Sequence, residues 1–582
     1  MSRGKKTWRL ALLLIVVAPP VAYLLAMLPP SAATVDDSGW RPSPSGQVVA
    51  GAVHVHTVRS DGAGTPDEVA AAAARAGLQF VILGDHGNGT RALEPPTYRQ
   101  GVLCIDGVEI STAGGHYLAL DMSPAPYPLA GEPRDVVEDV RRLGGFGIVA
   151  HPTSAKRALQ WLEWSAPFDG IEWLNADAEW RDESRWTLAR APFHYLLRPE
   201  ATLASLLDRP DLALARWDAL GSRRRVVGLA AADAHGRIDL GGDAYAEGNA
   251  SPLRVPSYDA SFRTFAVRVE LDQPVSGSAV EDGRALIGAL RRGRTYSAID
   301  ALARPVRFEF SATSGGAVAR MGETLAPSGP VVLWARAAVP AGSAIELIRD
   351  GQFVRTVSAG ELEYQTDASS GVFRVEVKVP GAPGTPAMPW IVSNPIYVGP
   401  RSGEAEAPPP RLPGRDTRAL YIDGDTTGWV VEMDAESRAA VNATPTVGGR
   451  ELAFRYALRG GAIAGQYAAL VFGLEGEGRS PGLVGHDRLT FRARANRAMR
   501  LEVQVRQPGG PDGERWHRSI YLDEQPRDVT IFFDDLVPVG RTARRRPELS
   551  KVHALLFVVD TNHTLPATAG IVWLDDVKLA HP

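Results

Sequence analysis

The chain has 582 residues, 45% hydrophobic and 22% charged, with a formal net charge of -4. At about 150 residues per domain the length implies roughly four domains, and the apolar content excludes disorder throughout. The near-neutral balance excludes a broad nucleic-acid footprint, and the lone Cys104 excludes an intramolecular disulfide or a thiolate zinc cluster.

Residues 1–9 hold Arg3, Lys5, Lys6 and Arg9 with no acid, and an apolar run of 19 residues follows from Leu10 to Leu28, broken by Pro19 and Pro20. A basic stretch before an apolar one is the pattern of an export signal, and the run is also long enough to span a bilayer. Residues 1–33 therefore read as a signal peptide cleaved after Ala33, or as a signal anchor with the remainder outside. In both cases the protein is exported, as a periplasmic, extracellular or outward-facing membrane-anchored chain that meets the membrane only through this segment. Residues 34–47 read as a tether.

From residue 48 short apolar strands alternate with helices. Val48 to His56, Phe80 to Leu83, Gly147 to Ala150 and Val226 to Ala232 are strand-like. Thr65 and Glu68 fit a capping box, Pro66 the first helical position and Gly77 the stop. A second helix starts near Pro133, carries Val136, Val137, Val140 and Leu143 as a stripe, and ends at Gly144-Gly145. This alternation predicts an α/β domain over 48–304 with a mainly parallel sheet or barrel. A tryptophan-rich, mostly helical insertion (Trp161, Trp164, Trp173, Trp180, Trp186) interrupts it at 160–220, either anchoring itself to the domain or lining a cleft. Residues 305–400 lose helical periodicity and predict a small β-sandwich, 401–415 a Pro-rich linker, and 416–582 a second all-β sandwich.

Histidines concentrate in the α/β part: seven of the twelve fall from His54 to His235. His54 and His56 lie two apart in a strand and can address one point. Asp233 and His235 repeat that spacing at the end of another strand. Asp61, His86, Glu109, His116 and His151 lie at strand ends or turns between them. Imidazole nitrogen with carboxylate oxygen suits zinc, manganese or iron, and nine such groups exceed the needs of one tetrahedral ion, so two or three divalent ions are expected. Closely spaced metals present a hydroxide nucleophile at neutral pH and neutralise charge on a phosphoryl or carbonyl oxygen. His194, inside the insertion, reads instead as a core or surface residue.

Six segments, His-Val-His-Thr with Ser-Asp-Gly, Gly-Asp-His-Gly-Asn, Gly-Val-Glu-Ile-Ser, Gly-His-Tyr-Leu-Ala-Leu, Ala-His-Pro and Asp-Ala-His, resemble in order and composition the motifs of the PHP (polymerase and histidinol phosphatase) superfamily. The resemblance implies a distorted (β/α)7 barrel and a metal-dependent phosphoesterase. It implies that His54, His56, Glu109 and Asp233 serve one metal, Asp61, His86 and His235 a second, and Glu109, His116 and His151 a third. Asp61 stands where histidinol phosphatases often carry His. Asp85 would orient its neighbours as the one catalytic side chain beyond a metal-bound hydroxide, or would serve turn chemistry alone.

The export signal and β modules are similar to secreted metallohydrolases of the carbaryl-hydrolase type. The expected substrate is thus a small phosphate mono- or diester, with a carbamate, amide or carboxylic ester as the alternative. A third possibility is a non-catalytic cell-envelope binding protein with a structural metal site. Arg59, Lys156 and Arg157 are candidate phosphate cations, and Asn175 and Glu172 candidate pocket residues. The last domain, with Asp423-Gly-Asp425 and a closing Trp-Leu-Asp-Asp strand, resembles galactose-binding or carbohydrate-binding jelly rolls; a carbohydrate partner and a structural calcium would follow.

Overall fold

In a computed structural model, described for residues 19–41, 47–181, 183–237, 254–367, 370–400, 411, 414–460, 465–474, 482–509, 513–540, 542 and 544–581, local chemistry sets the first helix as expected. The Thr65 hydroxyl accepts from the Glu68 amide at 3.2 Å and the Glu68 carboxylate accepts from the Thr65 amide at 2.8 Å. Helix α1, Pro66–Ala76, follows, and Gly77 stops it at φ 79°, a conformation that favours glycine. Helix α2, Pro133–Arg142, buries Val136, Val137 and Val140. Residues 1–18 and most of 401–415 lie outside the described residues. Among the described residues no helix is long and apolar enough to cross a membrane.

Seven strands close a ring. They are β1 Gln47–Val55, β2 Phe80–Leu83, β3 Gly107–Thr112, β4 Gly115–Leu120, β5 Phe146–Ala150, β6 Gly170–Asn175 and β7 Val227–Ala231. Pairing runs β1–β2 in parallel, β3–β4 and β4–β5 antiparallel, and β5–β6 and β6–β7 parallel. Two bridges complete the circuit: His86 with Glu109 joins β2 to β3, and Val55 with Ala234 joins β7 to β1. Val53, Ile82, Leu118, Ile148 and Leu229, one from each of five strands, belong to a single buried apolar cluster. The expected mainly parallel order is interrupted at β3–β4–β5, because only Ala113 and Gly114 separate β3 from β4 and so short a loop can only reverse the chain. The reversal has a consequence for chemistry. It brings His116, the second residue of β4, to the rim where the parallel strands end.

Strand β8, Ala266–Leu271, pairs antiparallel with β1 and with β9, Thr295–Ala298. β9 then pairs with β10, Ile391–Ser393, so the sheet runs on without a break into the expected small sandwich. Residues 305–400 are therefore part of the first compact unit, which extends to Glu406. The opposing four-stranded sheet carries Phe308, Phe310, Leu333 and Ala335 inward, as their alternation predicts. Asn394 fixes the junction: its side chain accepts from the Gly228 amide at 2.9 Å and donates to the Gly228 carbonyl at 2.8 Å.

The second unit comprises residues 88–91, 124–136 and 407–582. Its C-terminal part is two six-stranded antiparallel sheets around a core that includes Phe454, Leu501, Val503, Phe557 and Leu574. On strand β11, Met499–Gln507, the residues alternating with Leu501 and Val503 are polar, yet Arg500, Glu502 and Gln504 are buried. Segment 124–136 of the same unit covers them. Arg500 pairs with Asp135 at 3.1 Å, and His517, on β12 (Glu514–Leu522), stands 3.6 Å from Glu132 and 3.2 Å from Glu502.

Burial opposes charging of His517, but hydrogen bonds to Glu132 and Glu502 outweigh it and raise its pKa to about 10. Burial likewise opposes ionisation of Glu502, which His517 and His563 nevertheless hold well below the usual carboxylate range. Burial, with the charge of Glu502 beside it, raises Asp560. A raised histidine stabilises fully below its unfolded value of about 6.5 and loses that contribution as pH rises toward 10; a depressed Glu stabilises above its unfolded value of about 4.3. The raised Asp560 adds a penalty as pH climbs through its own titration. Thermal midpoints of this unit should therefore peak near pH 5–6 and fall toward pH 10. His517→Gln should flatten the alkaline limb; an unchanged pH slope in calorimetry would contradict this account.

Candidate metal centre

The rim of the ring gathers all nine expected ligand side chains. His54, near the end of β1, and His56, just past it, have ring centroids 5.0 Å apart. His56 stacks on His235 at 4.2 Å and lies 4.7 Å from His86, and His116 lies 5.6 Å from His86 and 5.0 Å from His151. His54, His151 and Asp233 have positive φ (63°, 29° and 41°), a costly conformation for non-glycine residues that clusters at functional sites. Gly84 is required by proximity: a Cβ there would meet His54 Cδ2 at 2.7 Å.

Glu109 is the hub. Its Oε1 lies 3.0 Å from His116 Nδ1 and 3.0 Å from His151 Nε2, and its Oε2 lies 3.1–3.4 Å from His54 Nε2, His56 Nε2 and His86 Nδ1. Asp61 faces His56, His235 and His86 at 3.2, 3.3 and 3.6 Å. Asp233 Oδ1 stands 3.2 Å from His56 Nε2 and 3.7 Å from His54 Nε2.

Burial favours neutral forms throughout, and mutual charge overcomes it. Glu109 is held well below the usual range by His54, His86 and His116, Asp61 by His235, His56 and His86, and Asp233 by His54 and His56. Conversely, against the burial that disfavours charge, Glu109 raises His151 to about 9, and Asp61 and Asp233 raise His235 to about 10. His54 and His86 rise by the same cause.

The donor set fits divalent ions. His54 Nε2 and His56 Nε2 are buried without a hydrogen bond although ionised carboxylates stand beside them. A lone pair aimed at a shared cation explains that geometry; a core hydrogen-bond network does not. One donor atom per residue lies within 4.8 Å of the others in three groups: His56, Asp61, His86 and His235; His54, His56 and Glu109; and His86, Glu109 and His116. His56 thus stands with the Asp61 group as well as with His54.

Around this centre the structure supplies an orienting layer that sequence reasoning only touched. Glu172, buried on β6, takes His54 Nδ1 at 2.7 Å on one oxygen, and on the other accepts from the His151 amide at 2.7 Å and from Asn175 Nδ2 at 2.8 Å. Asn175 Nδ2 also donates to Asp233 at 3.1 Å, so it braces a candidate ligand and does not line the pocket. A carboxylate on the far nitrogen of a ligating imidazole fixes its tautomer and orientation. A glutamate in the middle of a fully buried strand, with apolar residues on either side, was the available signal.

Asp85 accepts from the Thr57 amide and hydroxyl at 2.7 and 2.8 Å and from Ser60 at 2.7 Å. It holds the loop after β1, and Ser60 links it to His56 Nδ1 at 3.4 Å. Arg59 points elsewhere, paired with Glu94 at 2.6 Å and Asp106 at 3.3 Å. Lys156 lines the pocket over the centre, a cavity of about 640 Å³, and Arg157 does not; Arg181 and Arg237, which no motif marks, line it too. Trp161 and Trp173 are buried and serve as anchors, Trp186 is exposed, and no tryptophan lines that cavity. His194 is buried, with Nε2 3.1 Å from the Leu24 carbonyl. In the second unit Asp425 serves a turn to Thr427, and among the described residues no metal-binding group forms around Asp423, Asp425, Asp575 and Asp576.

No family model matches the chain, and no curated protein matches it. A structural neighbour is a two-domain protein from Bacteroides vulgatus ATCC 8482 named for a predicted PHP-like metal-dependent phosphoesterase. It shows 13% identity and a TM-score of 0.27, covering 59% of this chain and 92% of that one. A family 11 carbohydrate-binding module of a Clostridium thermocellum cellulase is similar at 15% identity and TM-score 0.24, covering 29% and 95%. A family 30 carbohydrate-binding module is similar at 14% identity and TM-score 0.23, covering 29% and 100%. At such identities and scores these likenesses carry no argument about the chain's chemistry.

Proposed function

We propose that the protein is an exported, multinuclear metal-dependent phosphoesterase whose first unit is a distorted (β/α)7 barrel of the PHP superfamily. One observation carries this reading: nine imidazole and carboxylate side chains converge at one rim, beneath a cavity walled by Lys156, Arg181 and Arg237. His54, His56, Glu109 and Asp233 would hold one ion, Asp61, His86 and His235 with His56 at their edge a second, and Glu109, His116 and His151 a third, as zinc, manganese or iron. Bound divalent ions supply Lewis-acid charge stabilisation and lower the pKa of water.

The chain's own residues do the rest. Among the described residues Lys156 and Arg237 make no ion pair, which leaves both cations for anionic ester oxygens, while Arg181 is steered by Asp177 at 2.5 Å. Glu172 and Asn175 hold ligand orientation from behind. A carbohydrate partner for the second unit would have to use a surface other than the β11–β12 polar face, which segment 124–136 already covers.

The test is hydrolysis by the full chain, loaded with manganese or zinc, of bis-nitrophenyl phosphate, nitrophenyl phosphate and an aryl carbamate. Chelator-sensitive turnover of a phosphate ester, weakened in Lys156→Ala chiefly through KM, is the expected result. Turnover of the carbamate alone would replace phosphate by carbamate chemistry. No chelator-sensitive turnover of any of the three would leave the binding-protein alternative standing and sink this one.

A further inference from the structure

Helix α3, Arg185–Leu197, presents an apolar stripe to solvent. At 3.6 residues per turn, Ala189, Phe193, Leu196 and Leu197 fall on the side of Trp186. Trp186, Leu196 and Leu197 are 72%, 82% and 51% exposed, whereas His194, on another side of the helix, is buried. Large apolar side chains ordinarily turn into the core; Trp186, Leu196 and Leu197 stand together in solvent instead.

The position of the stripe identifies what it meets. The described chain begins at residue 19 inside the apolar run Leu10–Leu28, and residues 19–26 are helical. Val21, Tyr23, Leu25 and Met27 of this segment are exposed as well. It is tied to α3 directly: His194 Nε2 lies 3.1 Å from the Leu24 carbonyl, and Arg198 donates to the Pro29 carbonyl at 2.7 Å. Residues 33–35, just beyond, are also built into the fold. The Ala33 amide donates to Leu302 at 2.8 Å, the Val35 amide to Arg304 at 2.9 Å, and Val35 is buried. The described part of the apolar run, residues 19–28, is therefore attached to the first unit beside the stripe, and the sequence upstream is apolar and then basic.

We infer that α3 and residues 21–27 form one docking face for a phospholipid bilayer, with α3 lying in the headgroup layer. The residue types agree. Trp186 and Tyr23 are aromatic rings of the kind that settle at that depth. Arg185 begins the helix and Arg190 lies on the striped side, where cations meet anionic headgroups. A second copy of the chain would explain the exposed stripe but not its junction with a run long enough to span a membrane.

The full chain offers a clean probe because Cys104 is buried and its thiol is pushed up to about 11 by that burial. Leu196→Cys, labelled with an environment-sensitive fluorophore, is reconstituted in vesicles of phosphatidylethanolamine and phosphatidylglycerol. Val318→Cys and Val447→Cys, exposed in other parts of the chain, serve as references. The expected result is a blue-shifted Leu196 label, quenched severalfold more by nitroxide lipids and less by iodide than either reference. A Leu196 label as open to iodide as the references on vesicle-bound protein would overturn the inference. So would shielding that grows with protein concentration without lipid quenching, the sign of a second copy, or failure of the full chain to float with vesicles.

Discussion

Glu109→Gln should empty the centre of the ions that Glu109 serves and abolish chelator-sensitive hydrolysis. The side chain keeps its size, but one oxygen becomes an amide donor, which repels a cation where the carboxylate attracted it. Both oxygens of Glu109 are in use, one toward His116 and His151 and the other toward His54, His56 and His86. Neither orientation of an amide can therefore satisfy the cluster. Glu172→Gln is the graded partner of this change. It touches no cavity surface and acts through His54 and the His151 amide, so it should weaken metal affinity by the ~10–100-fold typical of an outer partner, with less metal loss than Glu109→Gln. Metal content after dialysis, chelator competition and circular dichroism separate ligand loss from misfolding. Wild-type metal stoichiometry in folded Glu109→Gln would refute the assignment of the hub.

The order of these effects shows what a sequence can and cannot disclose. Candidate ligand positions are legible because strand geometry is local: residues two apart share a face, and strand ends are marked by turns, so His54, His56, Asp233 and His235 can be placed without knowing the sheet. Strand partners are not legible from alternation alone, although the two-residue loop at Ala113-Gly114 carries the antiparallel signal. Arg59 shows the opposite failure. It follows the His-Val-His-Thr motif closely, but side-chain direction depends on neighbours distant in sequence, and Glu94 and Asp106 claim it. Arg181 reaches the cavity from a segment with no motif of its own, and Arg237 from two residues past Asp-Ala-His. The boundary expected at residue 304 marks where helical periodicity ends, yet hydrogen bonding between β9 and β10 ignores that change because a sheet propagates through backbone groups.

Arg500→Ala should destabilise the second unit more than any other single truncation on its polar sheet face. Arg500 is 1% exposed and Asp135 2%. The guanidinium meets the Asp135 carboxylate at 3.1 Å, donates to its carbonyl at 2.9 Å and donates to Ser519 at 3.1 Å. Removing one partner of a buried pair strands the other, at a cost of about 3–5 kcal/mol. At ~2–4 °C per kcal/mol for a domain of this size, the unit's thermal midpoint should fall by roughly 6–20 °C. Faster amide exchange should be confined first to residues 124–136, which the pair fastens to β11. Replacing both partners, Arg500→Met with Asp135→Leu, should recover most of the loss, since apolar substitutes escape the desolvation that the ions bear. Recovery should stop short by ~0.3–1 kcal/mol, because Asp135 stands in the first turn of α2, where a carboxylate interacts favourably with the helix dipole. If Arg500→Ala shifts the midpoint by no more than an exposed ion pair would, segment 124–136 is held by its apolar contacts and the buried pair is incidental.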